Sequence, residues 1–249
     1  MGVMTSRSII ITGGTSGIGR AAALTFAARG WRVAICGRRV ERLEAVEAEA
    51  DLALAHSVDV TDPDKVRDFF ELAKARLGHI DLVFNNAGAF SAASNFGDID
   101  VNDWRQMIDT NLNGAFYVAR EAFRAMREQS PQGGRIINNG SISAHAPRFG
   151  AAAYTAPKHA ITGLTKSISI DGRQFNIACG QIDIGNTATD MTKDMTKGMM
   201  QADGTLKPEP TFDVKHVVDA LLYMSELPLE ANVQFMTVMA TTMPYLGRG

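Results

Sequence analysis

Several features that mark particular protein classes are scarce or missing in this sequence. It has only two cysteines, Cys36 and Cys179, and both lie in apolar runs typical of strands. Two cysteines in such a setting indicate buried thiols rather than a disulfide or a metal site, so we predict no bound metal. No run of about 18 apolar residues occurs, which predicts that no helix spans a membrane and that no membrane partner is involved.

An excess of charge of either sign is also missing. The formal net charge is −2 at pH 7, and the lysines and arginines are dispersed along the chain. A protein whose main partner is a nucleic acid usually carries a basic stripe, so we expect no nucleic-acid partner. The few residues before the first apolar run leave no room for a signal peptide, and we therefore expect a cytoplasmic protein.

What is present is the composition of an ordinary folded protein, with 45% apolar and 21% charged residues in a chain of 249. Short apolar runs alternate with helical patterns, and no linker or repeat divides the chain. We predict one α/β domain over residues 1–249, a doubly wound (Rossmann) fold with helices on both faces of a seven-stranded parallel sheet. The predicted strands are residues 8–12, 31–36, 52–60, 80–84, 135–139, 175–182 and 233–239.

A glycine-rich turn follows the first predicted strand and precedes a helical pattern. Glycines in such a turn let the backbone approach a pyrophosphate, whose charge then lies at the helix N-terminus. A glycine motif alone is weak evidence for a dinucleotide site. Its place after the first strand of a chain in which strands and helices alternate makes that evidence much stronger. The predicted cofactor contacts in this turn are Gly13, Thr15, Ser16, Gly17, Ile18 and Gly19.

Two arginines, Arg38 and Arg39, follow the second predicted strand. A dinucleotide site usually carries an acidic residue about 20 residues after the glycines to hold the ribose hydroxyls. Here that position is Gly37, and an arginine attracts a 2′-phosphate that an aspartate would repel. We therefore favour NADP over NAD, with Arg38 as the better candidate and Arg39 at the start of a helix. If both arginines are simply solvated, NAD is the alternative.

The end of the third predicted strand carries Asp59 and Val60. Ligands of doubly wound sheets lie outside the carboxyl ends of the strands, so Asp59 could accept a hydrogen bond from the adenine amine. Alternatively, Asp59 belongs to the turn that caps the helix predicted over residues 64–77. Both roles are compatible.

The fourth predicted strand ends in a small, polar segment that includes Asn86, Ala87 and Gly88. Small residues there would let the backbone run beside the cofactor. A long helix is predicted over residues 101–128, and Asn111 lies inside it. An asparagine within a helix disfavours it and indicates either a local bend or a functional hydrogen bond, for example to a water near Lys158.

Tyr154 and Lys158 are four residues apart and would share one face of a helix. The pKa of a tyrosine in water is about 10, so its phenol keeps its proton at neutral pH. A neighbouring ammonium favours the phenolate. Tyr154 is therefore a candidate proton carrier. Ser141 lies thirteen residues earlier, directly after a predicted strand, and could present its hydroxyl to the same reacting oxygen. By itself such a pair could arise by chance, and the other motifs make chance a poor explanation.

The whole chain resembles the short-chain dehydrogenase/reductase family in its compact, single-domain form. The motifs that carry the resemblance are Thr12-Gly13-x-x-x-Gly17-x-Gly19, Asn85-Asn86-Ala87-Gly88, Asn111, Ser141 and Tyr154-x-x-x-Lys158, in the family's order and spacing. The segment Gly37-Arg38-Arg39 looks like that of NADP-preferring members.

The resemblance implies an oxidoreductase that interconverts a small secondary alcohol and a ketone or aldehyde. Tyr154 would exchange the proton, Ser141 would orient the substrate oxygen, Lys158 would bind the nicotinamide ribose, and Asn111 would support a water-linked proton relay. It also implies a homodimer or homotetramer. A non-catalytic dinucleotide-binding regulator is an alternative, although the catalytic residues are all present.

The segment after the sixth predicted strand departs from the family pattern. Ile184-Gly185 stands where a Pro-Gly pair is usual, and the retained glycine is expected to keep the turn beside the nicotinamide. By the same resemblance, Thr187 and Thr189 are expected to contact the cofactor.

The substrate pocket is expected to include His145, Arg148 and Phe149, which lie between Ser141 and Tyr154. Residues 186–212 are expected to form a substrate loop or lid. Methionines spaced four apart in this segment indicate an adaptable apolar face, suited to a lid or to a loosely packed surface helix.

Overall fold

The computed structural model describes residues 6–189, 198–201 and 203–245. Strands and helices alternate along the chain, as the sequence predicts. The strands are β1 (Ser8–Thr12), β2 (Arg32–Gly37), β3 (Leu54–Ser57), β4 (Leu82–Asn85), β5 (Gly134–Asn139), β6 (Ile177–Ile184), β7 (Met199–Met200), β8 (Leu206–Lys207) and β9 (Phe235–Val238). The α-helices are α1 (Gly17–Ala28), α2 (Val40–Glu47), α3 (Pro63–Leu77), α4 (Val101–Ile108), α5 (Gly114–Glu128), α6 (Ala152–Asp171) and α7 (Val214–Glu226).

The main sheet has seven strands in the order β3-β2-β1-β4-β5-β6-β9. Every neighbouring pair in it is parallel, which confirms the predicted fold. Parallel neighbours need a crossover between them, and the crossover helices cover the two faces of the sheet.

Apolar side chains fill both faces of the sheet. In β1, Ile10 packs into a cluster that includes residues of α3, α5 and α6, whereas Ile9 and Ile11 pack into a second cluster with residues of α1, α2 and α7. The alternation follows from the two-residue period of a strand. Each fully buried isoleucine contributes about 1.5 to 3 kcal/mol of transfer free energy, so β1 is a strong centre for the core.

The crevice that matters for ligand binding lies at β1. Both β2 and β4 are neighbours of β1, so the chain crosses over to one side of β1 first and to the other side later. The loops after β1 and β4 therefore diverge and leave an opening at the carboxyl ends of these strands.

The long helix predicted over residues 101–128 is interrupted as expected. A π-helical turn, Asp109–Asn113, separates α4 from α5, and the buried Asn111 lies within it. Such turns insert one extra residue into a helix and occur frequently at functional sites.

Strand ends differ from the prediction by up to three residues: β4 and β9 begin two residues later than predicted, and β3 and β6 differ at both ends. The predicted strand 52–60 ends early because the Asp59 carboxylate accepts hydrogen bonds from the main-chain N–H and hydroxyl of Thr61, which form a turn. β6 begins two residues later than the predicted strand 175–182, because Asn176 adopts a left-handed conformation at φ 56° directly before it. Pairing with β9 then extends β6 to its end at Ile184.

The described part of segment 186–212 contains a short antiparallel hairpin formed by β7 and β8. Met199 and Met200 therefore lie in a strand, and the alternative of a methionine-rich helix is wrong for these two residues. Met191 and Met195 lie outside the described residues.

The turn of this hairpin is built around Asp203. Its carboxylate accepts hydrogen bonds from the hydroxyl and main-chain N–H of Thr205, and these bonds lower the pKa of Asp203 to about 2. Gly204 follows with φ at 79°, a conformation that favours glycine. This local turn chemistry stabilises a hairpin rather than a helix.

Cys36 and Cys179 are both free and buried, which confirms the prediction of buried thiols. Burial raises the pKa of Cys36 to about 12 and also raises that of Cys179. Among the helices of the described residues, none combines the length and the apolar character needed to cross a bilayer.

Candidate active site

A cavity of about 810 Å³ opens at the carboxyl edge of the sheet, at the crevice beside β1. Its volume lies in the range of about 300 to 1,000 Å³ found for small-molecule and cofactor sites. Of the residues predicted to bind cofactor, those that line the cavity are Gly13, Thr15, Ser16, Gly17, Ile18, Arg38, Arg39, Asp59, Val60, Asn86, Ala87, Gly88, Tyr154, Lys158, Ile184, Gly185, Thr187 and Thr189. The predicted catalytic residues Ser141 and Asn111 line it too.

The glycine turn forms one wall. Gly13 and Gly17 have φ values of 65° and 51°, in the left-handed region that favours glycine. Gly19 is not among the residues that line the cavity, and its cofactor contact stays a prediction. A Cβ at Gly19 would lie 2.3 Å from the main-chain oxygen of Gly13, so this glycine lets α1 pack against the turn.

Thr12 and Asn86 hold the ends of β1 and β4 together. The Thr12 hydroxyl oxygen accepts hydrogen bonds from the main-chain N–H groups of Asn86 and Ala87 at 3.0 and 2.9 Å. The Asn86 amide in turn donates to the Thr12 carbonyl at 2.8 Å and accepts from the Asn139 amide at 2.8 Å. These bonds fix the floor of the cavity across β1, β4 and β5.

Three arginines line the end of the cavity next to β2. Arg38 and Arg39 follow β2, and Arg42 lines the same wall one turn later on α2. Arg42 was missed in the sequence, although its spacing from Arg38 and Arg39 on a predicted helix was a usable signal. Asp59 lies on this side too, where it lines the cavity and also forms the turn at Thr61; its hydrogen bond to the adenine amine stays a prediction.

Ser141 directly follows Gly140 at the end of β5 and is buried. Its hydroxyl oxygen accepts a hydrogen bond from the main-chain N–H of Ser143 at 3.1 Å. A hydroxyl that accepts this bond keeps its own hydrogen, which is available to donate to a ligand oxygen.

Tyr154 and Lys158 lie one turn apart on α6, as their spacing predicts. The Lys158 ammonium nitrogen is 5.6 Å from the centroid of the Tyr154 ring and donates to the Asn139 carbonyl at 2.8 Å. Phe90 packs against Tyr154 edge to face at 5.0 Å between ring centroids. The phenol and the ammonium are therefore neighbours in a fixed arrangement.

The Asn111 side chain binds the main chain of the loop after β4. Its oxygen accepts from the Ala89 N–H at 2.9 Å, and its amide donates to the Ala89 carbonyl at 3.0 Å. A Cβ at Gly88 would lie 2.9 Å from the Asn111 oxygen, so the loop fits here because residue 88 is glycine.

The residues predicted for the substrate pocket separate into two groups. Arg148 lines the cavity and forms an ion pair with the buried Glu209 at 2.7 Å. Asn186 bridges the two, because its oxygen accepts from Arg148 and its amide donates to Glu209 at 2.8 Å. These bonds attach Asn186 and Glu209, in the described part of segment 186–212, to the cavity wall, and neither residue was anticipated from the sequence.

His145 and Phe149 do not belong to the described lining of the cavity, and their place in the substrate pocket stays a prediction. His145 is bound instead by the buried Asp183, with 2.8 Å between the imidazole Nε2 and the carboxylate Oδ2. Phe149 is exposed, with 48% of its surface accessible. Local sequence order placed these residues near Ser141 but could not say which way each side chain points.

Comparison with known proteins decides the family. Residues 7–199 match the family model described as short chain dehydrogenase. The chain belongs to the short-chain dehydrogenase family. The enzyme is therefore an oxidoreductase of CH–OH groups with a nicotinamide dinucleotide as its class of cofactor.

Relatives of this short-chain dehydrogenase cover most of its length. A 3β-hydroxysteroid dehydrogenase of Mediterraneibacter gnavus is 36% identical over 197 residues, 78% of this chain and 70% of the relative. Sulfoacetaldehyde reductase 2 of Chromohalobacter salexigens is 31% identical over 237 residues, 94% of each chain. Among solved structures, the closed form of a serine dehydrogenase complexed with NADP+ is 27% identical, covers 97% of this chain and 98% of its own, and has a TM-score of 0.86.

The site of this dehydrogenase fits a dinucleotide in its chemistry. A left-handed glycine turn at the N-terminus of α1 suits a pyrophosphate, because backbone N–H groups and the helix dipole favour an anion there. Ser16 caps α1 without a side-chain hydrogen bond to the helix backbone. The Lys158 ammonium at the other end of the cavity suits ribose hydroxyls, since it carries three donors and Asn139 uses one.

Proposed function

We propose that this dehydrogenase uses NADP(H) to interconvert a small alcohol and the corresponding carbonyl compound, a ketone from a secondary alcohol or an aldehyde from a primary one. The observation that carries the proposal is that Ser141, Tyr154 and Lys158 line the same cavity as the glycine turn and Arg38. A reacting carbon in this cavity would have both a proton carrier and a cofactor cradle beside it.

The cofactor supplies or accepts the hydride when bound, and the protein supplies the proton. In reduction, the Tyr154 phenol gives its proton to the substrate oxygen, and in oxidation the phenolate takes that proton back. The Ser141 hydroxyl donates a hydrogen bond to the same oxygen and orients it. Lys158 stabilises the phenolate through its positive charge, since its nitrogen lies 5.6 Å from the ring centroid.

Asn111 supports this arrangement through the loop after β4. Its side chain is engaged with Ala89, so we propose that its main-chain carbonyl, rather than its amide, serves the water-linked relay toward Lys158. The side chain holds the cavity wall next to the proton carrier.

The preference for NADP rests on Arg38, with Arg39 and Arg42 on the same wall. A guanidinium can donate two parallel hydrogen bonds to a phosphate, and a 2′-phosphate is the group that distinguishes NADP from NAD. The serine dehydrogenase structure that resembles this chain is a complex with NADP+. Its likeness over nearly the whole chain supports the same choice here.

The relatives support the reaction class but not one substrate. Their names refer to a hydroxysteroid, sulfoacetaldehyde and serine. We therefore propose only the general class of alcohols and carbonyl compounds, with Arg148 and Asn186 on the substrate side of the cavity.

The proposal includes a cytoplasmic homodimer or homotetramer. Exposed apolar side chains on α4 and α5, among them Val101, Trp104 and Phe116, support assembly through these two helices. The two free thiols are in keeping with a reducing compartment.

Turnover of a panel of alcohols, hydroxy acids, ketones and aldehydes, followed as NADPH absorbance at 340 nm, tests the proposed chemistry. Tyr154→Phe should lower kcat by about 100 to 10,000-fold, because general acid–base catalysis contributes that much and the phenol is the only group assigned to it. Tyr223→Phe, on the exposed face of α7, is the matched control and should leave kcat unchanged. Equal turnover by Tyr154→Phe and wild type would refute the proton role.

A further inference from the structure

The most unusual group near the active site is a buried carboxylate that the mechanism above does not use. Asp183, near the end of β6, has 0% of its surface exposed. Burying a carboxylate is costly unless hydrogen bonds compensate it, so its partners define what it does.

Asp183 is bound to the main chain of the catalytic serine. Its Oδ1 accepts hydrogen bonds from the Ser141 main-chain N–H at 3.0 Å and from the Gln181 amide at 2.7 Å. Its Oδ2 lies 2.8 Å from Nε2 of His145. Both oxygens are therefore engaged, and one of their partners is the backbone of Ser141.

The same carboxylate connects Ser141 to α6, the helix that carries Tyr154 and Lys158. The Gln181 amide also donates to the Thr162 hydroxyl at 3.1 Å, and the Gln181 oxygen accepts from the Thr165 hydroxyl at 3.0 Å. Thr162 and Thr165 lie on α6. A continuous chain of hydrogen bonds thus runs from α6 through Gln181 and Asp183 to the backbone of Ser141.

Gly140 leaves room for this contact. A Cβ at Gly140 would lie 2.0 Å from Oδ1 of Asp183, a distance that no side chain tolerates. Residue 140, directly before Ser141, is therefore a glycine because the Asp183 carboxylate oxygen occupies the space that a side chain would need.

We propose that Asp183 is a positioning residue that sets the distance between Ser141 and the Tyr154–Lys158 pair. It acts as a hydrogen-bond acceptor for the Ser141 N–H, while Gln181 and His145 hold the carboxylate in place. The role rests on the proposed function, because the position of Ser141 affects a rate only if Ser141 orients the substrate oxygen.

A double-mutant cycle with kcat as its readout tests this role. Asp183→Ala should lower kcat about 10 to 100-fold, the scale expected when a catalytic group is displaced by about 1 Å, and leave the Kd of NADPH within about 2-fold. Asp183→Asn keeps an acceptor oxygen and should stay within about 3-fold of wild type. In a Ser141→Ala background, Asp183→Ala should change kcat by less than about 2-fold, because its effect passes through the serine.

Equal losses from Asp183→Ala in the two backgrounds would overturn the proposal, and so would a loss from Asp183→Asn as large as that from Asp183→Ala. Glu121→Ala, which removes a buried acid of α5, is the control for the general cost of such a deletion and should leave kcat unchanged. If Asp183→Ala does not fold, Gly140→Ala replaces it, since its Cβ displaces the same oxygen and the same dependence on Ser141 is required.

Failure of the proposed function is distinguishable from failure of this role. Wild-type turnover and its loss in Tyr154→Phe test the function first. Amide hydrogen exchange at Ser141 then reports on the contact without any turnover. It should be slow in wild type and Asp183→Asn and fast in Asp183→Ala or Gly140→Ala, and fast exchange in the wild type would refute the contact.

Discussion

At the scale of single residues, the guanidinium groups after β2 have the most direct consequence. Arg38, Arg39 and Arg42 line one wall of the cavity, and the lining does not include Glu41, the acidic residue in the first turn of α2. Arg38→Ala should raise the Kd of NADPH at least about 10-fold, because a hydrogen bond to a charged group contributes about 1.5 to 3 kcal/mol. The Kd of NADH should not change, since it lacks the 2′-phosphate, and fluorescence titration of both cofactors measures the difference.

Arg76→Ala is the matched control, because this arginine lies on α3 away from the cavity lining and its side chain is exposed. It should leave both dissociation constants unchanged. Equal or tighter binding of NADH by the wild type would make NAD the cofactor and refute the role assigned to Arg38.

How much the sequence could predict at this scale depends on the range of the interaction. Tyr154 and Lys158 are neighbours through helical spacing alone, so their contact could be read from the sequence. Asp183 meets Ser141 across the pairing of β6 with β5, over 42 positions, and no local pattern indicates such a contact. The contact of His145 with Asp183 could not be predicted for the same reason.

At the scale of elements, the π-helical turn between α4 and α5 holds the loop after β4. Asn111→Ala should lower the free energy of unfolding by about 1 to 3 kcal/mol, because it leaves the main-chain N–H and carbonyl of Ala89 without their partner. It should also weaken NADPH binding, because Gly88 and Ala89 line the cavity. Urea denaturation and cofactor titration of the same variant provide the two measurements.

Asn102→Ala, an exposed asparagine at the start of α4, serves as the control and should shift the unfolding free energy by less than about 0.5 kcal/mol. An Asn111→Ala variant with the stability and NADPH affinity of wild type would show that the loop does not depend on this side chain.

Elements with strong periodicity were predictable, whereas the hairpin in segment 186–212 was not. The strands of the sheet are continuous apolar runs because both of their faces are buried, and that signal is clear in the sequence. β7 and β8 are two residues each, and their formation depends on the turn at Asp203 and Gly204. Methionine spacing carried no information about that turn.

At the scale of the whole molecule, the cavity joins both halves of the sheet, because Gly13 follows β1 and Thr189 follows β6. A ligand that contacts both walls stabilises the native chain by mass action. At 100 times its Kd, NADPH should add about 2.7 kcal/mol, which corresponds to a rise in Tm of about 5 to 10 °C for a domain of this size. Thermal unfolding followed by circular dichroism measures the shift.

AMP, which lacks the pyrophosphate bridge and the nicotinamide half, is the control ligand and should give a much smaller shift at equal concentration. The same large shift with AMP would mean that the walls beside β5 and β6 take no part in binding.

The strand order has a consequence for synthesis on the ribosome. Each strand of the main sheet, as it emerges, pairs with one that has already been made, so the nascent chain can build the sheet outward without inserting a strand between two others. The cavity is completed later than most of the sheet, because its last wall forms only after β6 and the residues up to Thr189 have emerged. A cofactor can therefore be enclosed by all the walls of the cavity only once the residues up to Thr189 have been made.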